Sequence, residues 1–248
     1  MLLGVAASLL VPILPSVAQA PPAPAARFIV VLDAAHGGGD SGGRLASGQM
    51  EKAATLALSV RLRSQLTARG IAVLTTRESD VTLDSDGRAA IANHAHADAC
   101  LSLHATESGS GLHLFTSSLA PTRPDTPTRL GAPALPGGPA PRFPAWKTAQ
   151  SAYVARSIAL AGALNAALRQ ASFNVTLSRT ALTAVDSMTC PALAVELAPE
   201  RGPDGAVTAE PDNPDYQARV AAALASAILA WRADPENLNP PAAEGSQP

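Results

Sequence analysis

Apolar and polar positions divide the chain into short β-branched runs separated by segments of helical period. Arg27–Ala34 (RFIVVLDA) is a nearly unbroken apolar run, the pattern of a parallel strand covered on both faces. A glycine-rich stretch ends it. From Glu51 to Arg69 the rows Leu56–Val60 and Leu58–Leu62–Leu66 recur at helical spacing, and Gly70 follows where a helix-terminating glycine belongs. Ile71–Thr76 (IAVLTT) reads as a second strand, which makes a βαβ unit with an expected right-handed crossover. The same alternation predicts a short helix near Gly87–Asn93 and strands at Ala99–Ala105 and Gly111–Ser117. A helix carrying Val154–Ile158 and Leu160–Leu164–Leu168 follows, then strands in NVTLSRT and PALAVELA. Tyr216, Val220, Leu224 and Ile228 draw the stripe of a closing helix. Residues 119–147 break this rhythm, because eight prolines between Pro121 and Pro144 forbid regular structure. They are expected to form an inserted surface loop.

A chain of 248 residues accommodates one sizeable α/β domain, placed here at residues 27–233. The first twenty residues are apolar and end in Ala18-Gln19-Ala20, the small-x-small pattern of a cleaved signal peptide. An exported protein, periplasmic or extracellular, is therefore expected. A membrane anchor or a misplaced start is the alternative, since the first residues lack Lys and Arg and Pro12 and Pro15 interrupt any helix; no stable membrane span is expected. Pro21–Ala26 (PPAPAA) reads as a stiff spacer and residues 234–248 as a disordered tail. The net charge of −2, without a basic run, excludes a nucleic-acid partner. Cys100 and Cys190 allow either one bridge or two buried free thiols.

Chemistry-bearing residues gather at strand ends. LDAAHGGGDSGG, directly after the first strand, holds His36 among five glycines; His104 closes CLSLH, and Glu196 closes LAVE. Glu51 opens the helix after the first loop. In open α/β sheets ligands collect at the carboxyl ends of strands, and two imidazoles with a carboxylate suit zinc, which keeps a fourth position for water in catalytic sites. The loop glycines permit the backbone conformations and close approaches that a ligand on a strand-end turn needs. A second carboxylate, Glu196, could shuttle protons from nucleophile to leaving amine.

The segments VVLDAAHGG, MEKAATLALSVRLRSQLTARGIAVLTTRESD, RAAIANHAHADACLSLHAT and PALAVELA, in that order, resemble the zinc-dependent N-acetylmuramoyl-L-alanine amidases over about Phe28–Trp231. The resemblance implies one Zn²⁺ per chain held by His36, Glu51 and His104, with Glu196 as catalytic acid/base. It also implies a six-stranded mixed sheet and hydrolysis of the amide between N-acetylmuramic acid and the L-alanine of a peptidoglycan stem peptide. Such enzymes remodel the cell wall, often as daughter cells separate. The chain departs from the family's usual DPGHGG, HAN and VELGF with DAAHGG, HAT and VELAP, and none of these changes replaces a ligand. The proline-rich insertion holds Asp125 as its only acid, which argues against a helical zinc-blocking segment of the kind some relatives carry. Peptidoglycan or muropeptides are the expected partners, with any activator protein unidentified.

Other readings compete. HAHAD (His94–Asp98) mimics a metallo-β-lactamase motif, but Ala99 stands where that motif needs another histidine, so His94 and His96 are expected to cap carbonyls or titrate at the surface. His113 alternates with Leu112 and Leu114 and reads as a face residue, while Arg77 and Arg88 read as internal ion-pair partners. Ser102 beside His104 suggests a serine hydrolase, but the two are expected on opposite faces of the strand, and no G-x-S-x-G elbow is present. A wall-binding or regulatory homologue without turnover, and a zinc peptidase cutting inside the stem peptide, remain as rivals to the amidase.

Overall fold

The computed structural model describes residues 27–121 and 146–234. The expected signal peptide, the spacer, most of the proline-rich insertion and the tail beyond residue 234 lie outside the described residues. Six strands form the main sheet: β1 (Ile29–Ala34), β2 (Ala72–Thr75), β3 (Ala99–Ala105), β4 (Leu112–Ser117), β5 (Val175–Thr180) and β6 (Ala192–Leu197). Their order is β2-β1-β3-β6-β4-β5. Neighbours are parallel except β4 and β6, which are antiparallel, so the sheet is mixed as expected. Among the described residues the α-helices are α1 (Glu51–Thr67), α2 (Ser85–His94), α3 (Val154–Gln170) and α4 (Pro214–Ala233).

Strand alternation sends two different surfaces to the two faces of the sheet. Val30 and Leu32 of β1, Leu101 and Leu103 of β3, Leu112 and Leu114 of β4 and Leu193, Val195 and Leu197 of β6 enter one core with the inner faces of α1, α3 and α4. The opposite face is thinner. There Val31, Cys100 and Ala192 meet Ala89 and Ala92 of α2, together with Val185 and Met188 around a short 3-10 turn, Val185–Ser187. Cys100 and Cys190 form a disulfide in this second layer, which settles the choice between bridge and free thiols.

Helix boundaries follow local chemistry. Asp84 caps α2 through Gly87 N, and Asn213 caps α4 through Asp215 N and Tyr216 N, with Pro214 in the first turn. Every position of the predicted α4 stripe is fully buried. Two predicted rows fail in part: Val60 and Ile158 are exposed, while Leu58, Leu62, Leu66, Leu160, Leu164 and Leu168 carry the packing. An irregular 3-10 stretch, Trp146–Ala152, and a small hairpin of β7 (Glu200–Arg201) and β8 (Val207–Ala209) were not expected from the pattern. Their strands are two and three residues long, too short to show alternation; the Asp204-Gly205 turn, with Gly205 at φ +80°, was the available signal. No helix among the described residues is long and apolar enough to cross a membrane.

Candidate metal centre

His36, Glu51 and His104 converge at the carboxyl edge of β1 and β3. Each offers one ligand atom within 4.8 Å of the others. His36 Nε2 lies 3.1 Å from Glu51 Oε2, and His104 Nδ1 lies 3.0 Å from Glu51 Oε1. A tetrahedral zinc ion with bonds near 2.0–2.1 Å separates its donors by roughly 3.3 Å, so the cluster fits such an ion with small adjustments. The backbone also leaves room for it. A Cβ on Gly42, whose φ is +64°, would sit 2.6 Å from His36 Cδ2 and 2.7 Å from Glu51 Oε2, so only glycine keeps the cluster uncrowded.

The loop that carries His36 is held from behind by buried polar groups. Asp33 accepts hydrogen bonds from Arg88 Nη1, Thr76 Oγ1 and Ser102 Oγ, each at 2.7 Å. Arg88 also donates to Ala34 O and His36 O, both at 2.7 Å. Arg77 donates to Ala34 O, Ala35 O and Lys52 O at 2.8, 2.9 and 2.7 Å, which ties the loop to the start of α1. Both arginines are thus internal, although Arg77 satisfies carbonyls where an ion pair was expected. Lys52 adds a surface clamp through Gly38 O and Asp80.

Charge in the cluster follows from these contacts. Burial alone would raise the Glu51 carboxyl, but hydrogen bonds from His104, His36 and Gly43 N hold it well below the usual carboxylate range. Both nitrogens of His36 face carboxylates: Nε2 meets Glu51 and Nδ1 meets Asp40 at 2.8 Å. The Glu51 bond, opposed by burial and reinforced by Asp40, raises the His36 pKa above its ordinary 6.5. Asp40 was not singled out as a site residue; a proton held on Nδ1 by its carboxylate would leave Nε2 to bind a metal in place of the Glu51 contact. Its signal was its place four residues after His36.

Glu196 stands on the same edge. It is the register partner of His104 on β3 and of His113 on β4, so the three side chains share one sheet face. His113 Nδ1 bonds Glu196 Oε1 at 2.8 Å, a partnership the reading of His113 as a face residue left out. Ser102, expected on the opposite face, shares this one because it stands two residues before His104, and its Oγ comes within 3.5 Å of His104 Nε2. Its hydroxyl proton goes to Asp33, so it is not poised as a nucleophile. His94 Nδ1 binds Ala90 O at 2.7 Å and His96 has φ +48°; neither joins the metal cluster.

Comparison with known proteins gives a concordant result. The sequence profile of the family described as N-acetylmuramoyl-L-alanine amidase matches residues 30–230. An endolysin of Bacillus phage SPP1 is 43% identical over 90 residues, 35% of this chain and 33% of that protein. The germination-specific N-acetylmuramoyl-L-alanine amidase of Bacillus subtilis (strain 168) is 34% identical over 90 residues, 31% of this chain and 38% of its own. The aligned stretch thus spans about a third of each relative. Among solved structures, the N-acetylmuramyl-L-alanine amidase Ami1 of Mycobacterium smegmatis superposes with a TM-score of 0.60 at 21% identity, covering 82% of this chain and 95% of that one, which establishes the shared fold. Because the profile match takes in nearly all of the described fold, the chain belongs to the N-acetylmuramoyl-L-alanine amidase family.

Proposed function

We propose that the protein is a zinc-dependent amidase that hydrolyses the bond between the lactyl carbonyl of N-acetylmuramic acid and the L-alanine of a peptidoglycan stem peptide. The observation that carries this reading is the cluster of His36, Glu51 and His104, with Glu196 in register beside His104. Bound there, zinc supplies Lewis acidity to a carbonyl oxygen and to water. The rest is the work of the chain. The imidazoles of His36 and His104 and the Glu51 carboxylate would hold the ion, and Asp40 would keep the His36 proton on Nδ1. Glu196 takes the proton from the attacking water and returns it to the departing alanine nitrogen, so one carboxylate acts as base and then as acid. A role in wall remodelling or cell separation follows from that substrate.

We place the activity outside the cytoplasm. The Cys100–Cys190 disulfide supports this, since such bonds persist in oxidising compartments. The test combines metal analysis with a muropeptide digest. The purified protein should hold about one zinc per chain, by the three-ligand logic, and should release intact stem peptides with a free alanine terminus. Glu196→Gln should keep its zinc and lose rate by roughly 10²–10⁴-fold, the usual contribution of a positioned acid/base. Cleavage within the peptide would replace this reading with a peptidase, and bound muropeptide without turnover would replace it with a binding homologue.

A further inference from the structure

Glu196 has a dedicated partner. Among the described residues its side chain hydrogen-bonds one group, the His113 imidazole on the antiparallel neighbour strand. That ring is fixed on its other sides as well. Gly109, at φ +83°, passes so close that a Cβ there would lie 2.6 Å from His113 Cε1 and 2.9 Å from Nε2. Phe115 meets the ring edge-on, with centroids 6.2 Å apart. The loop behind Gly109 is anchored in turn: Gly111 N donates to Pro199 O and Ala198 N to Gly111 O, while the buried Tyr216 hydroxyl reaches Ala198 O at 3.2 Å. The imidazole therefore has little freedom to turn away from the carboxylate.

A bond between Nδ1 and a carboxylate oxygen requires the proton on Nδ1, donated to Oε1. One Glu196 oxygen is thereby engaged and the other left for solvent or substrate. We propose that His113 is a positioning residue for Glu196: it locks the carboxylate rotamer and acts on the reaction only through that carboxylate. The Nδ1 proton stays on the imidazole, and the proton passed from water to the leaving nitrogen travels on the second oxygen of Glu196. This assignment rests on the reading of Glu196 as the proton-handling group.

Three substitutions separate the two ideas. His113→Phe keeps ring volume and removes the donor, and it should lower kcat roughly 10–100-fold, the usual cost of losing such a supporting partner, with KM and zinc content unchanged. His113→Asn restores an N–H close to the position of Nδ1 and should recover most of that loss. In a Glu196→Gln background His113→Phe should cost nothing further, because groups acting as a unit are not additive. If Glu196→Gln turns over like the parent, the reading of Glu196 falls and the proposal with it. If Glu196→Gln is impaired while His113→Phe is as fast as the parent, or is equally costly in the double variant, the positioning role alone is overturned. Should His113→Phe fail to fold, imidazole ¹⁵N spectra of the full chain decide: a protonated Nδ1 that responds to Glu196→Gln supports the pairing, and one that does not respond overturns it.

Discussion

Gly42 occupies the position where a single methyl group would do most harm. Its φ of +64° costs an L-residue about 1–2 kcal/mol, and the added carbon would press on both His36 and Glu51. Gly42→Ala should therefore weaken zinc binding roughly tenfold or more, since about 1.4 kcal/mol is a factor of ten. Competition with a chromophoric chelator measures this, and unchanged affinity would show that the loop relaxes freely. Protons compete for the same site. Because the pKa of His36 is raised above 6.5 in the metal-free protein, its nitrogen is recaptured by a proton at higher pH than an ordinary imidazole. Zinc should be retained above that range and lost progressively as the pH falls through it, which dialysis across a pH series followed by metal analysis will follow. The residues of the cluster were legible in sequence, because His36, Glu51 and His104 each sit at the end or start of an element the pattern predicts. Asp40 and His113 were less so. Their roles depend on which ring nitrogen faces which carboxylate, and spacing along a chain carries no such information.

Between elements, the tie that matters most joins α2 to the end of β1. Arg88 and Asp33 are both buried, and the guanidinium also holds two carbonyls of the His36 loop. Removing one member of such a pair strands the other charge, at a cost of about 3–5 kcal/mol. Arg88→Ala should show that loss in urea denaturation and should also loosen zinc, whereas a substitution at Arg63, half-buried and paired with Glu78 at the surface, should show neither. Helices and strands were readable where one face is continuously apolar, as in α4. Reading failed where an apolar residue fell on the solvent side, as at Val60 and Ile158. Single exposed apolar residues are ordinary on protein surfaces, so a row of two was too little to fix a face. The β7–β8 hairpin escaped because two- and three-residue strands leave no period to detect.

At the scale of the whole molecule, the reversal of β4 against β6 decides what surrounds Glu196. A purely parallel sheet would have presented the carboxyl end of another strand beside β6; here the amino end of β4 brings His113 into that place. Strand direction between distant segments cannot be read from local pattern, and for that reason the mixed sheet entered the sequence reading through family resemblance alone. The same reversal makes the chain leave β4 at the rim away from the metal, since Leu112 pairs with Leu197 and Phe115 with Ala194. The proline-rich segment follows β4 in the sequence and precedes Trp146–Ala152. All of it lies between Cys100 and Cys190, whose bond closes 90 residues and contributes about 2–4 kcal/mol. A cut anywhere in that segment would consequently release nothing: the two fragments stay covalently joined, with β3 and β6 still side by side. If a protease cuts within residues 122–145, the product should keep its full mass without reductant, divide in two with it, and until then still hold His36, Glu51, His104 and Glu196 in one covalent unit, so that a nick there leaves the cluster assembled.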